Sequence, residues 1–370
     1  MPAGVVTLFL CGDVMLGRGV DQILRHPGDP TLQEAAVRDA REYVELAEAV
    51  NGPIPRPVDA AWPWGDALPL LDDAAPDVRV VNLETGVTTS GRFAPGKAVH
   101  YRMSPANVAA LSVVRPDVCV LANNHVLDFG TAGLLETLDV LAGENLPAAG
   151  AGRDVQEAER PAAVPLAGGG RVLVLARALP SSGVPWSWAA TDDRPGVALL
   201  PEPSPAEADR LIGQVQEVRQ PGDVVVVSIH WGPNWGYEVS DEEVRFAHRL
   251  VDGGVDVVHG HSSHHPRPLE VYRDRLILYG CGDFVDDYEG IGGYERYRDD
   301  LRLLYLVSLT AGTGELVELR MVPLQAVRMR LQPATDQDSR WLHQVLSRVS
   351  ARFGTTIDRE PDGALTVRRA

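Results

Sequence analysis

The chain has 370 residues, 45 % of them hydrophobic and 23 % charged, with a formal charge of −17. That composition excludes disorder along the whole length and suits one large α/β unit with an appendage. The acidic balance excludes a general nucleic-acid binder, which needs a basic surface, yet leaves room for an anionic substrate because a bound divalent ion reverses the local potential.

VVTLFLCGD (5–13) opens the chain as an apolar strand. The run ends at Asp13 and Arg18, too early for a signal segment or a membrane span, and no other apolar run is long enough to cross a bilayer. The expectation is a cytoplasmic protein without a membrane span, with peripheral association at the envelope left open. Cys11, Cys119 and Cys281 are too few and too scattered for a disulfide framework and read as small buried thiols.

Residues 26–66 interrupt the pattern and read as an insertion, a partial lid, made of one helix over 26–50 and a Pro-rich loop. Apolar strands then alternate with helices: VRVVNLE, PDVCVLANNH, RVLVLARAL, DVVVVSIHWG, DVVHGHSSHH and RLILYGCGDF are the strands. TAGLLETLDVLAGENL, SPAEADRLIGQVQEVRQ and SDEEVRFAHRLVDGG are the helices, the last with a capping box from Ser240 to Glu243 and a Gly253-Gly254 stop. Continuous Val/Ile/Leu runs mark strands buried on both faces, so the fold class is α/β. Gly168–Gly170 makes a hairpin turn. Two long strands, LRLLYLVSLT and ELVELRMVPLQAVRMRLQPA, follow residue 300, and DSRWLHQVLSRVSARFG is a terminal helix. One domain over 1–330 is expected, with residues 331–370 as a helix and tail packed on it.

Polar residues recur where the strands end, the place where open α/β sheets gather their functional groups. Asp13, then Asn82 and Glu84, then Asn123, Asn124 and His125 close the first three strands. His230 closes a later one, His261, His264 and His265 follow the next in GHSSHHP, and Asp283 comes after the last. Oxygen and nitrogen donors without thiolates suit Zn, Mn or Fe, and a bridging carboxylate would hold two ions.

GDVMLGR (12–18), VNLET (81–85), ANNHVLDFG (122–130), HWGPNWGYE (230–238), GHSSHHP (260–266) and YGCGDF (279–284) together resemble the CapA/PgsA family of poly-γ-glutamate capsule synthesis proteins. That family's fold belongs with the calcineurin-like metallophosphoesterases, which implies a four-layer αββα sandwich with mixed sheets. The resemblance implies metal ligation by Asp13, Glu84 (as the bridging carboxylate), Asn124, His230, His261 and His264, with one or two divalent ions. It implies that His125 donates a proton to a leaving oxygen. Asp128 either orients His125 or caps the helix after Gly130, and Arg18 is an anion-binding group or a surface cation. Asn123, Trp231 and His265 are placed towards substrate, with core anchoring the other reading for Trp231 and a solvent-facing ring the other for His265. Three positions depart from the phosphoesterase pattern: Met15 stands where a histidine ligand is usual, His264 comes one residue late, and Asp283 replaces a common Asn.

The function implied is a metal-dependent hydrolase in which a metal-activated water attacks a phosphoryl or carbonyl centre. A poly-γ-glutamate synthesis or export accessory that binds an anionic polymer is the first alternative. A γ-glutamyl amide hydrolase or transferase using the same site is the second. The partner expected is an anionic small molecule or a γ-glutamyl polymer.

Overall fold

The computed structural model describes residues 4–368. Val5–Val14 lies inside a ten-stranded sheet, with Val78–Leu83 parallel on one side and Leu301–Thr310 antiparallel on the other. Val118–Val120 and Ala148–Ala149 extend the parallel half, while Leu316–Ala326 and Leu365–Arg368 extend the antiparallel half. A second sheet of six strands has Arg171–Ala178, Val224–His230, Val257–His261 and Arg275–Leu278 parallel at its centre and an antiparallel strand at each edge.

The period of two along a strand shows how the layers form. In Arg171–Ala178, Val172, Val174 and Ala176 enter the core shared by both sheets, while Leu173 and Leu175 enter a second core with Leu211 and Phe246. Those last two come from the helices Pro205–Val218 and Asp241–Asp252, which cover the smaller sheet. Leu71, Leu134 and Leu346, from the helices Ala67–Ala74, Gly130–Gly143 and Asp336–Ser350, join the core of the larger one. The result is a four-layer αββα sandwich with mixed sheets, and it directs the carboxyl ends of the parallel strands to one edge.

Three local expectations need correction. Only Arg41–Asn51 of the 26–50 stretch is helical, because Pro27, Gly28 and Pro30 break its start and Thr31 instead bridges Asp39. The long strand expected after residue 315 is a hairpin: Leu316–Ala326 turns through Arg328 and Met329, both with positive φ, into Leu331–Pro333. Within the C-terminal tail, Leu365–Arg368 is a strand of the larger sheet. The capping box at Ser240 and Glu243 is present, and a second, Thr335 with Asp338, starts the last long helix. The three cysteines are free and buried. No helix among the described residues is long and apolar enough to cross a membrane.

Candidate metal centre

Strand pairing assembles the site. Asp13 pairs in parallel register with Asp283 on one side and with Asn82 on the other, while His230 pairs with His261 in the second sheet. Asp13, His230 and His261 bring ligand atoms within 4.8 Å of one another, and so do Asp13, His264 and Asp283. Asp13 is common to both groups. Glu84 Oε1 lies 3.6 Å from His230 Nε2 and 3.9 Å from His125 Nε2, and Asn124 Oδ1 lies 3.2 Å from His230 Nε2. All six residues expected as ligands therefore stand in one cluster, and the structure adds Asp283.

The electrostatics fit a cation. Burial, reinforced by the neighbouring Asp283 carboxylate, lifts Asp13 to about 7. Burial and Asp13 likewise raise Glu84 well above the carboxylate range. Burial, and then the neighbouring imidazoles, hold His230 and His261 well below the usual histidine value. Neutral rings are what ligation requires. Burial works against a charged His264, but the Asp283 carboxylate 2.9 Å from its Nδ1 outweighs it and raises the ring. Asp283 Oδ2 is buried without a hydrogen-bond partner. Three buried carboxylates around neutral imidazoles, one with an orphaned oxygen, are the surroundings a divalent ion stabilises.

His125 forms the other wall. Its Nδ1 lies 2.6 Å from Asp128 Oδ2, which also accepts from the Tyr101 backbone N–H at 2.7 Å. Asp128 thus orients the ring. Burial, and the Lys97 charge beside it, bring His125 down to about 4 in spite of Asp128. With its Nδ1 proton committed to Asp128, Nε2 faces Glu84 as an acceptor. Lys97, which the sequence reading passed over, pairs with Asp128 Oδ1 at 2.6 Å. Its rarity was the available signal, since the chain has no other lysine.

Four residues expected to meet substrate are buried and engaged by partners within the protein. Arg18 is buried, held by Asp287 through Nε at 2.8 Å and by Glu34 at 3.2 Å, and it lies against the rings of Tyr43 and Tyr101. Its charge is spent on two carboxylates. Asn123 is buried with its amide committed to Asn82 and Leu83 and its oxygen to the backbone of His125 and Val126. It shapes the loop rather than the ligand. Trp231 is fully buried, stacks on Tyr279 and donates Nε1–H to the Tyr279 carbonyl. His265 is buried between Tyr297 and Tyr237, accepting at Nε2 from the Gly236 N–H. Two other tryptophans are less enclosed: half-buried Trp235 stacks on Tyr294 at 3.9 Å and touches His264, and Trp186 stands 61 % exposed.

Known proteins extend the comparison. The chain is 55 % identical to a probable polyglutamine synthesis accessory protein of Mycobacterium tuberculosis, over 98 % of this chain and 96 % of that one. It is 28 % identical to the PGA biosynthesis protein CapA of Bacillus subtilis, over 84 % of this chain and 70 % of that one. A 5'-nucleotidase precursor from Thermus thermophilus aligns with 96 % of this chain and 61 % of its own length at 14 % identity and a TM-score of 0.48. The profile of the bacterial capsule synthesis protein PGA_cap matches residues 7–288, and the chain belongs to that family.

Proposed function

We propose that the chain is a divalent-metal-dependent hydrolase acting on an anionic substrate, a phosphoester or a γ-glutamyl amide. The observation that carries the reading is the set Asp13, Glu84 and Asp283, three buried carboxylates beside the neutral rings of His230 and His261. Asp13, His230 and His261 would hold one ion. Asp13, His264 and Asp283 offer a second position, with Asn124 and Glu84 flanking the first. A divalent ion, Mn, Fe or Zn, supplies Lewis acidity and a nucleophilic water at neutral pH. The chain's own part is to hold His125 neutral and aligned, so that Nε2 accepts a proton while Asp128 keeps the Nδ1 proton in place. Ser228 Oγ, 2.9 Å from His261 Nε2, fixes that ring from behind.

A non-catalytic reading has two points in its favour. Met15, buried where a histidine ligand is usual, removes a donor, and the relatives carry accessory or biosynthesis names. In that case the same centre would bind the carboxylates of a γ-glutamyl polymer without turnover. The test is metal content by elemental analysis of untagged protein, followed by screening of phosphoesters and γ-glutamyl amides with His125→Ala as control. Metal-dependent turnover lost in His125→Ala supports the hydrolase. Metal-loaded protein inert towards both substrate classes yet retaining poly-γ-glutamate would replace it with the accessory.

A further inference from the structure

Lys97 is the only lysine in the chain; arginine supplies all the rest of its 34 basic side chains. The surface ion pairs, such as Arg249 with Asp209 and Arg153 with Asp139, are all built on arginine. The single exception is not on the surface. Its side chain is 11 % exposed, its ammonium lies 2.6 Å from Asp128 Oδ1 and hydrogen-bonds the Asn124 backbone carbonyl. It comes within 3.3 Å of His125 Nδ1 and lies 5.0 Å from the centroid of the Trp188 ring.

We infer that Lys97 is a positioning residue for the metal centre, fastening Asn124 and the His125–Asp128 pair so that Asn124 Oδ1 and His125 Nε2 face the same space. The inference rests on the metal-centre reading given above. Asn124 and His125 sit in an irregular segment after the short strand Val118–Val120, so no continuous ladder sets their directions. One ammonium reaching both the Asn124 carbonyl and the Asp128 carboxylate does so. Lysine suits this place and arginine does not. An ammonium is a compact point charge that can sit among converging oxygens beside an aromatic face, whereas a planar guanidinium carries five donors in a fixed fork. At this spot the ammonium already lies 3.3 Å from His125 Nδ1 and 5.0 Å from the Trp188 centroid, close quarters for a wider group.

The test compares wild type, Lys97→Met and Lys97→Arg by calorimetric titration with Mn²⁺ and Zn²⁺, with melting followed in chelator. Residues that orient metal ligands typically alter affinity about 10- to 100-fold, and a loss of about that size is expected in both variants, with arginine failing to restore it. Tight binding in either variant, while wild type binds, overturns the inference and leaves the metal centre standing. Wild type that takes up neither ion removes the metal centre itself, and this inference with it. Should both variants unfold, the lone lysine decides the matter in the native chain. Protein carrying lysine labelled with ¹³C at Cε alone gives one side-chain signal, and saturating Mn²⁺ should broaden it beyond detection. A sharp signal in the Mn²⁺-loaded protein would overturn the inference.

Discussion

Asp13 and Asp283 occupy paired positions on adjacent parallel strands, so their carboxylates come together where water is excluded. Like charges in such a place resist joint ionisation unless a cation joins them. Burial and Asp283 hold the Asp13 carboxyl up to about 7, so Asp13→Asn should have opposite effects on the two states. Metal affinity should fall by about 10- to 100-fold, whereas the metal-free protein should melt higher than wild type. Calorimetric titration and melting in chelator check the two halves.

Metal itself should stabilise the fold. An ion present at 100 times its dissociation constant adds about 2.7 kcal/mol to the folded state. Urea unfolding with and without Mn²⁺ or Zn²⁺ should show that difference in wild type. His261→Ala, which deletes a ring shared between Ser228 and His230, should abolish it.

Arg18 gives a stability prediction, since its guanidinium is buried between Asp287 and Glu34. Removing one partner of a buried ion pair strands the other, a loss of about 3–5 kcal/mol. Arg18→Met should lower the unfolding free energy by about that amount. An unchanged denaturation midpoint would show the pair to be dispensable.

Trp231 separates core from substrate wall. Cutting a buried tryptophan to alanine costs about 3–5 kcal/mol, and Trp231→Ala should show that loss in chemical denaturation. Trp186→Ala, which removes a mostly exposed ring, should leave the midpoint nearly unchanged.

Acid should destabilise the chain through its buried histidines. Burial lowers His259 and His265 to about 4, against an ordinary value of 6.5. Between those pH values the unfolded chain binds protons that the folded chain refuses. Stability is then complete above pH 6.5 and declines as pH falls towards 4. The denaturant midpoint should drop across that window, and His265→Gln should flatten the slope.

Much of this was legible in the chain. Uninterrupted runs such as VVTLFL and VVVVSI require burial on both faces, and polar residues at their ends mark one edge of the sheets. GHSSHHP and ANNH were readable as donors because their residue types have little other reason to cluster. The extent of the insertion helix was not, since Glu34 turns away from a helical course to meet Arg18 and Tyr43. Contacts between distant segments decided it.

Sequence alone determined the α/β layering, the family resemblance and the ligand types, because periodicity and strand-end chemistry are local properties. Tertiary structure decided which polar residues stay free. Arg18, Asn123, Trp231 and His265 lie in or beside the same motifs as the ligands, yet each is consumed by a partner the motif does not contain: Asp287, Leu83, Tyr279 and Tyr297. Lys97 entered the site for the same reason. A buried charge takes its role from what the fold places against it, and no spacing along the chain records that contact.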